Sequence, residues 1–178
     1  MILASGSPRR KEILEREGFE FRIVKPQLVE VLNSELPVEE QVMDLAKQKA
    51  EEIYVNNKAE TILAADTVVY YDDIILGKPK DSEDAFQMLK ALRNRTHYVL
   101  TGVCIIQNKT IATLYEKTEI VFNEYSDQDI IDYIDTTEPM DKAGAYAIKG
   151  LGSKLVKSYI GDFDNVVGLP ITKIKKYL

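Results

Sequence analysis

The 178-residue sequence predicts a mixed α/β fold built on one twisted sheet, and three observations carry that expectation. Apolar residues recur at helical spacing in two stretches, Val42, Leu45, Ala46 and Ile53 in one and Ala85, Met88, Leu89 and Leu92 in the other. Three β-rich runs, residues 61–71, 98–106 and 110–122, alternate with them. Glycine or short polar clusters mark the boundaries.

Residues 1–4 read as a short strand and Gly6 as a tight turn. Ser7 stands as N-cap and Pro8 at the first position of a helix over 8–17, closed by Gly18. A strand over 19–24 follows, and from Val38 the helical spacing predicts a long helix. The run 61–71 turns at Asp72-Asp73 into a second strand, 74–76, and 81–92 is helical. Strands 98–106 and 110–122 join through Gln107-Asn108-Lys109. Ser126 with Asp129 three positions on makes a capping box, opening a helix to about Ile134. A polar, glycine-bearing loop leads to a strand around 154–160, and 170–178 is helical. With no internal repeat, low-complexity tract or linker, residues 1–178 are expected to form one domain, read as two lobes around the sheet.

Composition narrows the class. A hydrophobic fraction of 45% argues against disorder over any long span. No apolar run reaches the roughly 18 residues of a bilayer span, and the N-terminus lacks a secretory pattern, so a cytoplasmic location is expected. One cysteine and one histidine leave no intramolecular disulfide and no ordinary zinc cluster. Net charge is −6, with 29 acidic and 23 basic residues, whereas a duplex groove needs a broad basic surface. A small phosphorylated ligand suits the balance better than a nucleic acid.

Several positions carry chemistry. Ser5-Gly6-Ser7-Pro8-Arg9-Arg10 turns a strand into a helix start, where the dipole is positive and backbone N–H groups lack helical partners. Two arginines there call for a negative partner, and a phosphate leads the candidates. Asp66 falls inside Ile62-Leu63-Ala64-Ala65-Asp66-Thr67-Val68-Val69, a run that otherwise reads as fully buried. An ionised carboxylate there must be paired, metal-bound or at an open strand end; it either caps a turn, meets a basic group or serves a site. Lys49 sits mid-stripe between Leu45 and Ile53, and either snorkels to the helix edge or joins Asp66 in a ligand cleft. Gly77-Lys78-Pro79 holds a lysine in a stiffened loop. Asp141-Lys142-Ala143-Gly144-Ala145-Tyr146 is either a salt-bridged turn or a place where the Tyr146 ring stacks on a base. Cys104 reads as a buried small hydrophobe, and His97, which opens a strand, as a surface residue.

Set in order, Ala4-Ser5-Gly6-Ser7-Pro8-Arg9-Arg10, Ala65-Asp66-Thr67, Gly77-Lys78-Pro79, Asp141-Lys142-Ala143-Gly144-Ala145-Tyr146 and Val166-Val167-Gly168-Leu169-Pro170 resemble the Maf family, nucleoside triphosphate pyrophosphatases once described as septum-formation inhibitors. The resemblance covers nearly the whole chain. It implies an elongated two-lobed fold with a central twisted mixed sheet and a cleft between lobes, similar to inosine-triphosphate pyrophosphatases. It implies cleavage of a nucleoside triphosphate to the monophosphate and pyrophosphate with Mg²⁺ or Mn²⁺, and a homodimer. By the same resemblance Asp66 is the proton acceptor; what the implied reaction needs makes Asp66, with Glu30, the carboxylates expected to hold the metal or to orient and deprotonate the water. Arg10 and Thr67 bear on substrate choice, while Ser5, Arg9, Glu30, Lys49 and Lys78 are polar positions of the site. The Asp-Lys-Ala-Gly-Ala-Tyr form resembles the dTTP/UTP branch, which generally has glutamine where Tyr146-Ala147-Ile148-Lys149-Gly150 has Lys149. Lysine only donates, so Lys149 is expected to meet a base carbonyl. A nucleotide-binding regulator of division that does not hydrolyse is the alternative.

Overall fold

A computed structural model describes all residues, Met1–Leu178. The strands are β1 (Ile2–Leu3), β2 (Arg22–Ile23), β3 (Ile62–Tyr71), β4 (Ile74–Leu76), β5 (Thr96–Gln107), β6 (Thr110–Phe122) and β7 (Val156–Ile160). The helices are α1 (Pro8–Arg16), α2 (Val38–Val55), α3 (Ser82–Leu92), α4 (Asp127–Asp135), α5 (Phe163–Val167) and α6 (Ile171–Ile174). The strands form one sheet in the order β2-β1-β3-β5-β6-β7, with β4 added to β3. Parallel and antiparallel pairs both occur, so the expected mixed α/β architecture is what the chain adopts. No helix is long and apolar enough to cross a membrane.

The chain divides into two compact units. The first comprises Met1–Thr67, Leu100–Glu116 and Asp162–Leu178; the second comprises Val68–Val99 and Lys117–Gly161. In the first unit β1 pairs in parallel with β2 and β3, placing Leu3 opposite Ile23 and Leu63. Ile2, Ala4, Ala46, Ala50, Ile53, Ile62, Ala64, Cys104 and Ile106 form one apolar cluster, so the stripe on α2 lies against the sheet as its spacing predicts. Cys104 is fully buried as expected, and burial pushes its thiol up to about 12, which removes it from nucleophilic chemistry at neutral pH. Gly102 fixes how closely α2 can approach: a Cβ there would lie 2.2 Å from the Val42 carbonyl oxygen.

In the second unit β4 pairs antiparallel with the end of β3, and β7 with β6. Asp81 caps α3 by accepting from the Asp84 N–H at 2.8 Å, and the capping box opens α4 as predicted. Two readings need correction here. His97 is not a surface residue; it is fully buried, edge-on to Phe122 and Tyr146, with Nε2 2.7 Å from the Tyr146 hydroxyl. Tyr146 is itself buried in that aromatic cluster, so its ring offers no face for a base to stack on. Alternating strand geometry turns His97 inward, and a single polar residue at a strand start gives no periodicity from which to see it.

Burial lowers the His97 pKa to about 3 from 6.5, and its Nδ1 has no hydrogen-bond partner. The unfolded chain therefore takes up a proton below about pH 6.5 that the folded chain refuses until near pH 3, so stability falls as pH drops through that window. At about 1.4 kcal/mol per pH unit, acidification from 6.5 to 5 should remove about 2 kcal/mol, above the range where most carboxylates titrate. Urea melts across pH 5–7.5 are expected to show that slope and to lose most of it in His97→Phe.

The remaining departures are local. The strand expected over 19–24 is reduced to Arg22–Ile23, and the C-terminal helix breaks after Ile174 into a 3₁₀ turn. Three further 3₁₀ turns occupy the loop 138–155, and α5 was not expected. Its N-cap, Asp162, accepts from the Asp164 and Asn165 N–H groups, a short-range signal hidden in a five-residue helix.

Candidate active site

The first unit gathers most of the expected residues. Because β1 and β3 run parallel and in register, the chain following Leu3 and the chain following Leu63 leave the pairing side by side, carrying Ser5 on one and Asp66 with Thr67 on the other. Open parallel sheets place ligands at such carboxyl ends. Pro8 then starts α1 at its first position. Ser7 occupies the N-cap but makes no side-chain cap; its N–H instead donates to Ser5 Oγ at 3.2 Å.

Arg10 is the centre of this turn. Its Nε donates to the Gly168 carbonyl at 2.8 Å, Nη1 to Ser5 Oγ at 3.0 Å and Nη2 to Thr67 Oγ1 at 3.1 Å. All three acceptors are neutral. The guanidinium is thus aimed from three sides by oxygens that leave its charge unbalanced at contact distance, the condition under which an anionic ligand is favoured. Burial lowers the Arg10 pKa and the charge of Arg9 acts the same way, while Asp66 and Glu30 pull it back up. Those influences show that two cations and two carboxylates share one electrostatic neighbourhood. Gly168, at the end of α5 with φ +125°, adopts the left-handed backbone that glycine tolerates and presents its carbonyl to Arg10.

Ser5 is almost fully buried, and its oxygen accepts from both Ser7 N–H and Arg10. With both lone pairs engaged, its own proton remains to be donated.

Asp66 and Lys49 meet directly, Oδ1 to Nζ at 2.5 Å, with side chains 14% and 12% exposed. Lys49 does not snorkel away; it turns into the unit and also holds Glu30 Oε1 at 3.1 Å. One ammonium thus joins two carboxylates that would otherwise repel. Glu30 stands on an irregular segment, 46% exposed, and reaches Lys49 because α2 grips that segment. Gln48 accepts from the Val31 N–H at 3.0 Å and donates to the Val31 carbonyl at 2.8 Å, while the Glu52 carboxylate accepts from the Gln27 N–H. Gln48 and Glu52 flank Lys49 on the same helix edge, a role with no sign in the sequence because polar residues beside an apolar stripe read as a solvated face.

Other expected residues fall elsewhere. Arg9 lies in the first turn of α1 and is half-buried. Lys78 and Lys149 belong to the second unit and are exposed. There Gly77 accepts from the Gly144 N–H, tying the Lys78 loop to the 3₁₀ turn at 143–145. Lys142 is held by Asp141 and by the Glu138 carbonyl, so that motif is the salt-bridged turn of the plainer reading.

No His, Cys, Asp or Glu cluster of three or more forms a closed metal cage. Asp66 and Glu30 nonetheless supply two hard carboxylates, each meeting Lys49 Nζ through one oxygen. That donor set suits Mg²⁺ or Mn²⁺, which bind through one or two carboxylates and complete their shell with substrate phosphate and water.

A family model described as Maf-like protein matches residues 1–178. A dTTP/UTP pyrophosphatase of Caldicellulosiruptor bescii is 46% identical over 98% of this chain and 90% of its own length. A protein of the same name from Bacillus cereus strain G9842 is 44% identical over the whole chain and 93% of its own length. The turn at Ser5–Arg10, the Asp66–Thr67 strand and full-length similarity to these proteins together place the chain in the Maf-like family.

Proposed function

We propose that the protein hydrolyses nucleoside triphosphates, dTTP and UTP foremost, to the monophosphate and pyrophosphate. The observation that carries this reading is Arg10, a cation aimed by three neutral oxygens beside a carboxylate pair bridged by Lys49. The choice of base follows the names of the relatives.

A triphosphate carries about four negative charges, which resist attack until offset. Arg9 and Arg10 supply positive charge, and the Ser5 hydroxyl donates a hydrogen bond to a phosphate oxygen. Asp66 accepts the proton of the attacking water. The new bond joins that oxygen to the α phosphorus, the α–β bridge breaks, and pyrophosphate leaves with the electron pair. Lys49 keeps Asp66 and Glu30 in place. A divalent cation, held by Asp66 and Glu30, would supply further charge neutralisation on the phosphates.

Pyrophosphate release across the common triphosphates with Mg²⁺ or Mn²⁺ tests the proposal. Release from dTTP and UTP, with solvent ¹⁸O appearing in the monophosphate, is the expected result. Silence across the panel with nucleotide still bound would overturn it in favour of a non-hydrolysing regulator. The same reading carries a homodimer in the cytoplasm, which light scattering and cell fractionation check.

A further inference from the structure

We propose that Thr101 is a positioning residue that fixes the hydroxyl proton of Thr67 and through it the aim of Arg10. This rests on the hydrolytic reading of the same site but concerns a residue that no part of that reading uses.

Thr101 lies on β5 and is fully buried. Its hydroxyl donates to the Asn165 carbonyl at 2.9 Å. A hydroxyl has one proton. Across the 2.9 Å contact to Thr67 Oγ1, Thr101 can therefore only accept, and Thr67 must donate. Arg10, which has donors alone, then donates to the remaining oxygen capacity of Thr67 at 3.1 Å. The chain of bonds has one direction: Arg10 to Thr67 to Thr101 to the Asn165 carbonyl. Both fixed ends are backbone carbonyls of one short stretch, Asn165 for Thr101 and Gly168 for Arg10 Nε.

Two consequences follow. Thr67 meets the substrate with a lone pair and no free proton, so it repels a bare phosphate oxygen and leaves phosphate to Arg10 and Ser5. Valine in place of Thr101 would fill nearly the same volume but release the Thr67 proton to rotate, and one of Arg10's three anchors would loosen. A side chain that only filled space would tolerate that exchange.

The test is a cycle of Thr101→Val, Thr67→Val and the double variant, with Thr101→Ser and Thr101→Cys alongside, each assayed for kcat and KM on dTTP and for melting temperature. Thr101→Val is expected to lower kcat/KM about tenfold, as befits one hydrogen bond. Thr101→Ser should stay within twofold of the parent, with Thr101→Cys between them. The double variant should be no worse than Thr67→Val alone, because Thr101 acts through Thr67. Should Thr101→Val not fold, the order of parent, Ser and Cys carries the test. Full activity in Thr101→Val, equal damage by Ser and Cys, or multiplying losses in the double variant would overturn the proposal. If the parent enzyme releases no pyrophosphate, the functional reading fails separately; the same order is then read from inorganic tripolyphosphate affinity, and its absence there overturns the relay too.

Discussion

Asp66→Asn is expected to lower kcat on dTTP about 10³-fold while nucleotide affinity changes by less than about fivefold, since a positioned general base contributes roughly 10²–10⁴. Asparagine keeps the shape of aspartate and an oxygen that can still accept from Lys49 Nζ, now at 2.5 Å from Asp66 Oδ1. The fold should therefore hold, and only the negative charge and the ability to take a proton are lost. Single-turnover rates with Mg²⁺ and Mn²⁺, set beside equilibrium binding, separate the two quantities. A rate within tenfold of the parent would remove Asp66 from proton transfer.

The second large effect is expected at Arg10. Arg10→Met should cut kcat/KM by about 10²–10⁴, because each hydrogen bond to a charged group is worth about 1.5–3 kcal/mol and the guanidinium has two further N–H groups to offer a phosphate. The melting temperature without ligand should move only a few degrees. Losing the bonds to Gly168, Ser5 and Thr67 is partly offset by removing a charge that burial already disfavours. The rise in melting temperature with added nucleotide should disappear. Arg10→Lys is expected to recover little, since one ammonium on a shorter stem cannot meet three acceptors arranged around a planar fork. A lysine variant with parental kcat/KM would contradict the geometric role of the arginine.

What the sequence revealed depended on how strongly each residue broke its local pattern. Asp66 and Lys49 stood out because charge in an apolar stretch is costly, and the two prove to be partners. Ser5 to Arg10 stood out because glycine, proline and paired cations are unusual together at a helix start. Thr101 gave no such sign, as threonine is ordinary in a strand. Asn165 and Gly168 act through backbone carbonyls, which side-chain identity does not announce. Gln48 and Glu52 matter only because of which segment lies across them. The elements with strong periodicity, α2, α3, β3, β5 and β6, appeared where expected, whereas β2 and α5 are too short for periodicity to exist.

The bond between Arg10 and the Gly168 carbonyl joins residues 158 positions apart. During synthesis at about 5–20 residues per second, the arginine emerges and then waits about 10–30 s for its carbonyl partner to be made. Over that interval the nascent chain carries an arginine with one of its three anchors missing, and its aim is complete only once Gly168 has been made.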